Sequence, residues 1–97
     1  MINKSVKADI YWTPIEEGGR KYILPIGICY CPIISLEDIK SEKGLWSAVV
    51  INRDINGRKS IADITYLVDE APYHLLKSGQ KFLLYEAQQV VAEGVVM

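Results

Sequence analysis

Val6, Ala8, Ile10 and Trp12 alternate with Lys7, Asp9, Tyr11 and Thr13. A period of two is the pattern of a strand with one face buried and the other in water. Leu45 to Asn52, Ser60 to Val68, Lys81 to Glu86 and Val90 to Val96 read the same way, and no stretch carries a long helical repeat. Tyr22 to Leu24 and Ile26 to Ile34 add two short strands or one bent strand, broken at Pro25-Ile26-Gly27, where proline removes a ladder donor. Such a chain is committed to β-structure, and its apolar strands must hide their edges.

The punctuation between strands supports short reversals. Gly18-Gly19 allows the positive φ of a tight turn. Asn56-Gly57 between apolar runs is a hairpin signal, Ser78-Gly79 reverses the chain, and Ala87-Gln88-Gln89 closes a last hairpin. Tyr73-His74-Leu75-Leu76, after Pro72, fits a short 3₁₀ turn. Residues Ser35 to Gly44 are polar and unpatterned, and read as a loop with room for one helical turn. Six or seven short strands without a long helix predict a small all-β fold, a sandwich or a closed antiparallel barrel, formed by residues 1–97 as one domain.

Composition narrows the function. The chain carries 11 basic and 12 acidic residues, a net charge of −1. Nucleic-acid binding normally needs a clear basic excess, so that partner is not expected. No apolar run approaches the roughly 20 residues of a membrane span. Met1-Ile2-Asn3-Lys4-Ser5 has no signal-like apolar core, and the two cysteines are too close for a useful staple, so a reducing cytoplasm is expected.

Catalytic parts are scarce. His74 has no sequence-local partner, and the acid pairs Glu16-Glu17, Glu37-Asp38 and Asp69-Glu70 all fall in turns or loops. Phosphate loops, nucleophile elbows and metalloprotease helices are missing. Cys29 and Cys31 point to one side of a strand, but a tetrahedral zinc site wants four ligands, so core packing is the expectation, with no metal and no cofactor. Trp12 and Trp46 read as core, and either becomes an interface anchor if exposed.

Ala8-Asp9-Ile10-Tyr11 with Glu16-Glu17-Gly18-Gly19-Arg20 at one end, and Phe82, Glu86, Val91, Gly94, Val95 and Val96 at the other, resemble the two ends of the C-terminal β-barrel domain of bacterial elongation factor Tu. The first set is similar to that domain's opening strand and turn, and the second falls in phase with its closing pattern. The match covers residues 8–20 and 82–96, and it implies an antiparallel barrel of about this length. It also implies a transfer-RNA surface, from which this chain departs. The family's Gly-Tyr-Arg-Pro-Gln segment stands here as Gly27-Ile28-Cys29-Tyr30-Cys31-Pro32, without the arginine. Its closing Gly-Gly-Arg is Ala87-Gln88-Gln89, without the glycines or the phosphate-pairing cation.

The expected function is therefore a non-catalytic protein-binding module. Its most concrete form is an immunity protein that occludes the active surface of a bacterial toxin, with acids meeting a basic partner. Glu37, Asp38, Glu42, Asp69 and Glu70, with Trp46 beside the loop, are the candidate binding residues. The alternative is a translation-associated RNA or factor binder, using Arg53, Arg58 and Lys59 around the Asn56-Gly57 turn and needing Lys4, Lys7, Arg20 and Lys21 on the same face.

Overall fold

The alternation of the strands becomes a closed barrel. A computed structural model describes residues 5–37 and 45–97. Its strands are β1 (Val6–Trp12), β2 (Cys29–Tyr30), β3 (Ile33–Leu36), β4 (Leu45–Asn56), β5 (Lys59–Tyr66), β6 (Lys81–Glu86) and β7 (Gln89–Val96). All pairings are antiparallel, and the circuit β4-β3-β6-β7-β1-β5 closes on itself through a β4–β5 pairing. Closure satisfies both edges of each of these six strands. The short β2 is a seventh strand, which continues the β3 side of β4 beyond the interruption at Cys31-Pro32. No helix among the described residues is long and apolar enough to cross a membrane.

The inward residues are those the alternation selects. Strand β1 buries Ala8, Ile10 and Trp12; β5 buries Ala62, Ile64 and Tyr66; β6 buries Phe82 and Leu84. Alanines at 8, 48, 62 and 92 stand among large side chains, the mixture by which a narrow barrel fills its taper. Phe82 is fully buried, and its truncation to alanine is expected to cost about 3–5 kcal/mol. Two bulges interrupt the alternation. One leaves Arg53 unpaired between Asn52 and Asp54, and the other, at Leu84/Tyr85, puts Val91 and Ala92 inward in succession.

Several expectations shift by a residue or more. Tyr22 to Leu24 forms no strand: the Leu24 carbonyl accepts a hydrogen bond from the Asn52 side chain instead of a ladder amide. The break at Pro25-Ile26-Gly27 is a turn, and a second break follows at Cys31-Pro32. Ser35 and Leu36 belong to β3, with Leu36 buried, so the expected loop starts later. Strand β4 runs on to Asn56, and its hairpin centres on Gly57-Arg58 instead of Asn56-Gly57. Gly57, at φ +66°, takes the first central position, where a two-residue hairpin of the mirror-image type wants glycine.

The double glycine behaves as its spacing suggests. A 3₁₀ turn, Ile15–Glu17, ends at Gly18, whose φ is +94°. At Gly19 any side chain would collide with the Thr13 carbonyl, since a Cβ there would lie 1.8 Å from its oxygen. Together they fold the arm 13–28 back against the end of the barrel. The expected 3₁₀ turn after Pro72 is Tyr73–Leu75.

Candidate functional site

Of the expected binding residues, Glu37 and Trp46 lie where β3 stops and β4 starts, and Asp69 and Glu70 follow β5, which pairs with the other edge of β4. Ser35 pairs with Leu45 and Ile34 with Trp46, so Glu37 emerges beside the first residues of β4. On the other edge of β4, the Leu67 amide donates to the Ser47 carbonyl at 2.9 Å. Leu67 therefore sits beside Ser47, and the bend and turn that follow carry Asp69 and Glu70. Asp38 and Glu42 lie outside the described residues.

This corner has an apolar middle that the sequence reading did not single out. Leu45 is 64% exposed, Leu67 56% and Val68 41%, while the arm exposes a second apolar set, Ile15, Tyr22, Ile26 and Ile28. Asp69, Glu70 and Glu37 are exposed and make no ion pair among the described residues. The signal was present: Leu67-Val68 breaks the alternation of β5 with two apolar residues in succession, just before the acids.

Aromatic rings back the corner and fix its shape. Trp46 is half-buried, and its ring meets Tyr66 edge-on at 6.1 Å. Tyr66 meets Tyr73 edge-on at 5.2 Å. The Tyr73 hydroxyl donates to the Val68 carbonyl at 2.9 Å, which ties the 3₁₀ turn to the exposed pair. Burial pushes the Tyr66 phenol up to about 12, the charge of Tyr73 adding to it, so Tyr66 stays neutral and belongs to the scaffold. Trp46 is thus a partly exposed wall of the site, neither the core residue nor the free anchor that the two sequence readings allowed.

The alternative basic set does not converge. Arg53 lies on the outer face, where its Nε donates to Asp63 at 2.7 Å, and Lys7 meets the other oxygen of that carboxylate at 2.6 Å. The hydrogen bonds from Lys7 and then Arg53 hold the Asp63 carboxyl below its ordinary range. Arg58 turns onto the arm and donates to the carbonyls of Trp12, Thr13 and Arg20 at 2.9, 2.9 and 3.3 Å. Lys59 is exposed beside it. Three cations within seven residues of sequence thus have three different surroundings.

Arg20, Tyr30 and Glu86 form a separate cluster near the closing turn. The Arg20 guanidinium and the Tyr30 hydroxyl both donate to one Glu86 oxygen, and Arg20 lies over the Tyr30 ring at 5.0 Å. Burial raises the Glu86 carboxyl, but the bonds from Tyr30 and Arg20 outweigh it and hold the group below the usual carboxylate range. Burial, then the bond to Glu86, pushes the Tyr30 phenol far above its ordinary value. A neutral phenol and an ion pair closed on each other clamp the arm to the barrel.

The remaining candidates are placed plainly. Trp12 is in the core, and its indole Nε1 donates to Ser60 at 2.9 Å. His74 is exposed on the 3₁₀ turn. Cys29 and Cys31 share a side as expected, yet both are exposed instead of packed, because Tyr30 between them takes the inward position. No cluster of three or more His, Cys, Asp or Glu suited to a metal ion occurs among the described residues. A shallow depression of about 650 Å³ across β1, β5 and β7 is bordered by Asp9, Tyr11, Lys59, Lys81 and Glu93, and it reaches Glu37 at the corner. No protein-family model and no curated protein matches the chain.

Proposed function

We propose that the chain is a non-catalytic protein-binding module of the bacterial cytoplasm, in its most concrete form an immunity protein that covers the active surface of a basic toxin. The observation that carries this reading is the corner itself. Exposed Leu67 and Val68 directly precede the exposed acids Asp69 and Glu70, exposed Leu45 starts the strand beside the one that Glu37 follows, and the edge-on rings of Trp46, Tyr66 and Tyr73 fix the local shape. An apolar centre that can be dried, inside a rim of charge, is the anatomy of a protein interface. Unpaired acids would draw in a cationic surface and set its orientation. The closed six-stranded barrel supports the resemblance to the elongation factor Tu domain as scaffold, and a scaffold leaves function to its surface.

The test uses the wild-type chain and a Leu67→Asp/Val68→Asp variant as parallel baits in cells. The expected result is a basic protein retained by the first and lost by the second, whose toxicity the wild-type chain suppresses on co-expression. With that partner purified, charge reversal at Glu37, Asp69 and Glu70 should slow association, more at low salt than at high. A partner held equally by both baits would place the interface elsewhere. Salt-sensitive binding of bulk transfer RNA would instead favour the RNA-binding alternative.

A further inference from the structure

The feature that the barrel and its corner leave unexplained is the pair of thiols beside β2. Cys29 and Cys31 are both exposed, and their Sγ atoms lie 4.0 Å apart. They are held there by their surroundings. Cys29 pairs with Ile51 and Tyr30 with Val50, the Gly27 amide donates to the Asn52 carbonyl, and the Ala48 amide donates to the Pro32 carbonyl. Tyr30 between them is fixed by its bond to Glu86 and by Arg20 over its ring, with Trp12 at 5.8 Å on the inner side. Two sulfurs on one outward face are therefore preset by an inward-facing anchor.

The separation discriminates among the uses of a dithiol. A disulfide needs its sulfurs about 2.05 Å apart, roughly half the present distance, so this stretch of strand would have to pucker against its ladder bonds. Metal–thiolate bonds of about 2.3 Å, by contrast, place two sulfurs about 3.8 Å apart at a tetrahedral angle and about 4.6 Å apart in line. The observed 4.0 Å corresponds to an angle of about 120° at that bond length, so an ion held by two sulfurs in line asks the thiols to part by about 0.6 Å, against about 2 Å of closure for a disulfide. Zinc would lack half of its shell, since no third His, Cys, Asp or Glu joins the pair among the described residues. A soft monovalent d¹⁰ ion is satisfied by two thiolates, and soft sulfur ligands select Cu(I).

We propose that Cys29 and Cys31 form a two-thiolate binding site for Cu(I) on the outer surface of the barrel. One ion replaces two thiol protons, which pass to solvent, and neither the copper nor the sulfurs change oxidation state. Because each thiol gives up its proton to the ion, affinity should rise with pH.

The experiment is an anaerobic titration of the reduced chain against Cu(I) held by a chromophoric chelator such as bicinchoninate. Withdrawal of one Cu(I) per monomeric chain is expected, with a sulfur-to-copper charge-transfer band. The single variants Cys29→Ser and Cys31→Ser should each lose roughly a hundredfold or more in affinity, since even a ligand's hydrogen-bonding partner is worth 10–100-fold. Zinc(II) offered in the same way should not survive gel filtration. Equal copper withdrawal by the Cys29→Ser/Cys31→Ser double variant, or half an equivalent of copper with the chain eluting as a dimer, would overturn the proposal. So would a wild-type chain that holds no Cu(I) while glutathione disulfide converts it to an internal disulfide. Circular dichroism of each variant separates loss of ligand from loss of fold.

Discussion

Replacing Ser60 with alanine removes one oxygen atom and should cost more than its size suggests. The Trp12 indole donates to Ser60 Oγ at 2.9 Å, Ser60 donates to Asn52 Oδ1 at 2.8 Å, and Asn52 Nδ2 donates to the Leu24 carbonyl at 3.0 Å. Trp12, Asn52 and Ser60 are all buried, so water cannot replace the missing hydroxyl without entering the barrel. Ser60→Ala leaves two orphans, an indole N–H and an amide oxygen, each costing about 1–3 kcal/mol. Some relaxation of Asn52 is available, which puts the expected total near 3 kcal/mol, a large part of the ~5–15 kcal/mol that holds a domain of this kind. Urea unfolding followed by tryptophan fluorescence should show the midpoint falling by about 1 M or more at unchanged slope. The melting temperature should fall by roughly 10–20 °C. The control is Trp12→Phe, which removes the donor in advance. In that background the Ser60→Ala penalty should shrink by about 1 kcal/mol, the signature of a shared bond. A penalty below about 0.5 kcal/mol, or identical penalties in both backgrounds, would refute the argument that this chain of bonds ties the arm to the barrel.

Three further outcomes follow from single groups. The Tyr66 hydroxyl is buried with no hydrogen-bond partner among the described residues, so Tyr66→Phe should leave the melting temperature unchanged or raise stability by up to about 1 kcal/mol, measured by calorimetry. Ala87 sits in the closing hairpin at φ +54°, and Ala87→Gly should relieve about 1–2 kcal/mol of strain against the entropy that glycine adds to the unfolded chain. A net gain of about 0.5–1 kcal/mol in urea unfolding is expected. Glu86 has a lowered folded pKa, so its contribution is present above the ordinary carboxylate range and is lost as pH falls through the lower folded value. Glu86→Gln should therefore be less stable than wild type at neutral pH and lose less on acidification over that window; parallel acid limbs would show that the clamp contributes nothing.

How far the sequence was legible depended on the range of the interactions involved. Alternation is local, so the inward faces of β1, β5 and β6 could be read directly, and Trp12 was placed correctly. Tyr22 to Leu24 has the composition of a strand, but no neighbouring strand accepts it, and pairing partners are a property of the whole barrel. The cysteines were misplaced for a related reason. Small sulfur side chains are usually buried, but an aromatic residue between them, anchored by Arg20 and Glu86 from distant parts of the chain, claimed the inward position. At the corner the acids were visible as loop residues, whereas Leu67 and Val68 were counted into the strand that ends just before them.

The charges of the described residues differ in how far they are engaged within the fold. A net charge of −1 suggests a nearly neutral surface, yet the individual charges are not equally available. Lys7 and Arg53 share one carboxylate, Arg20 is bonded to Glu86, and Arg58 is turned onto three backbone carbonyls. The two arginines last named hold the 13–28 arm, and a phosphate drawn to them would first have to displace bonds that maintain the fold. Glu37, Asp69 and Glu70 make no ion pair among the described residues, although Glu37 lies beside Lys81, whose carbonyl accepts from its amide. A surface acid without an ion pair is costly to approach for another anion and inviting for a cation, and Asp69 and Glu70 directly follow the exposed Leu67 and Val68. Acids and exposed apolar residues thus occur together at Leu67 to Glu70, while the arm exposes a second apolar set, Ile15, Tyr22, Ile26 and Ile28, without that concentration of acids. An RNA-binding barrel would need the opposite distribution, with its arginines free and its acids engaged.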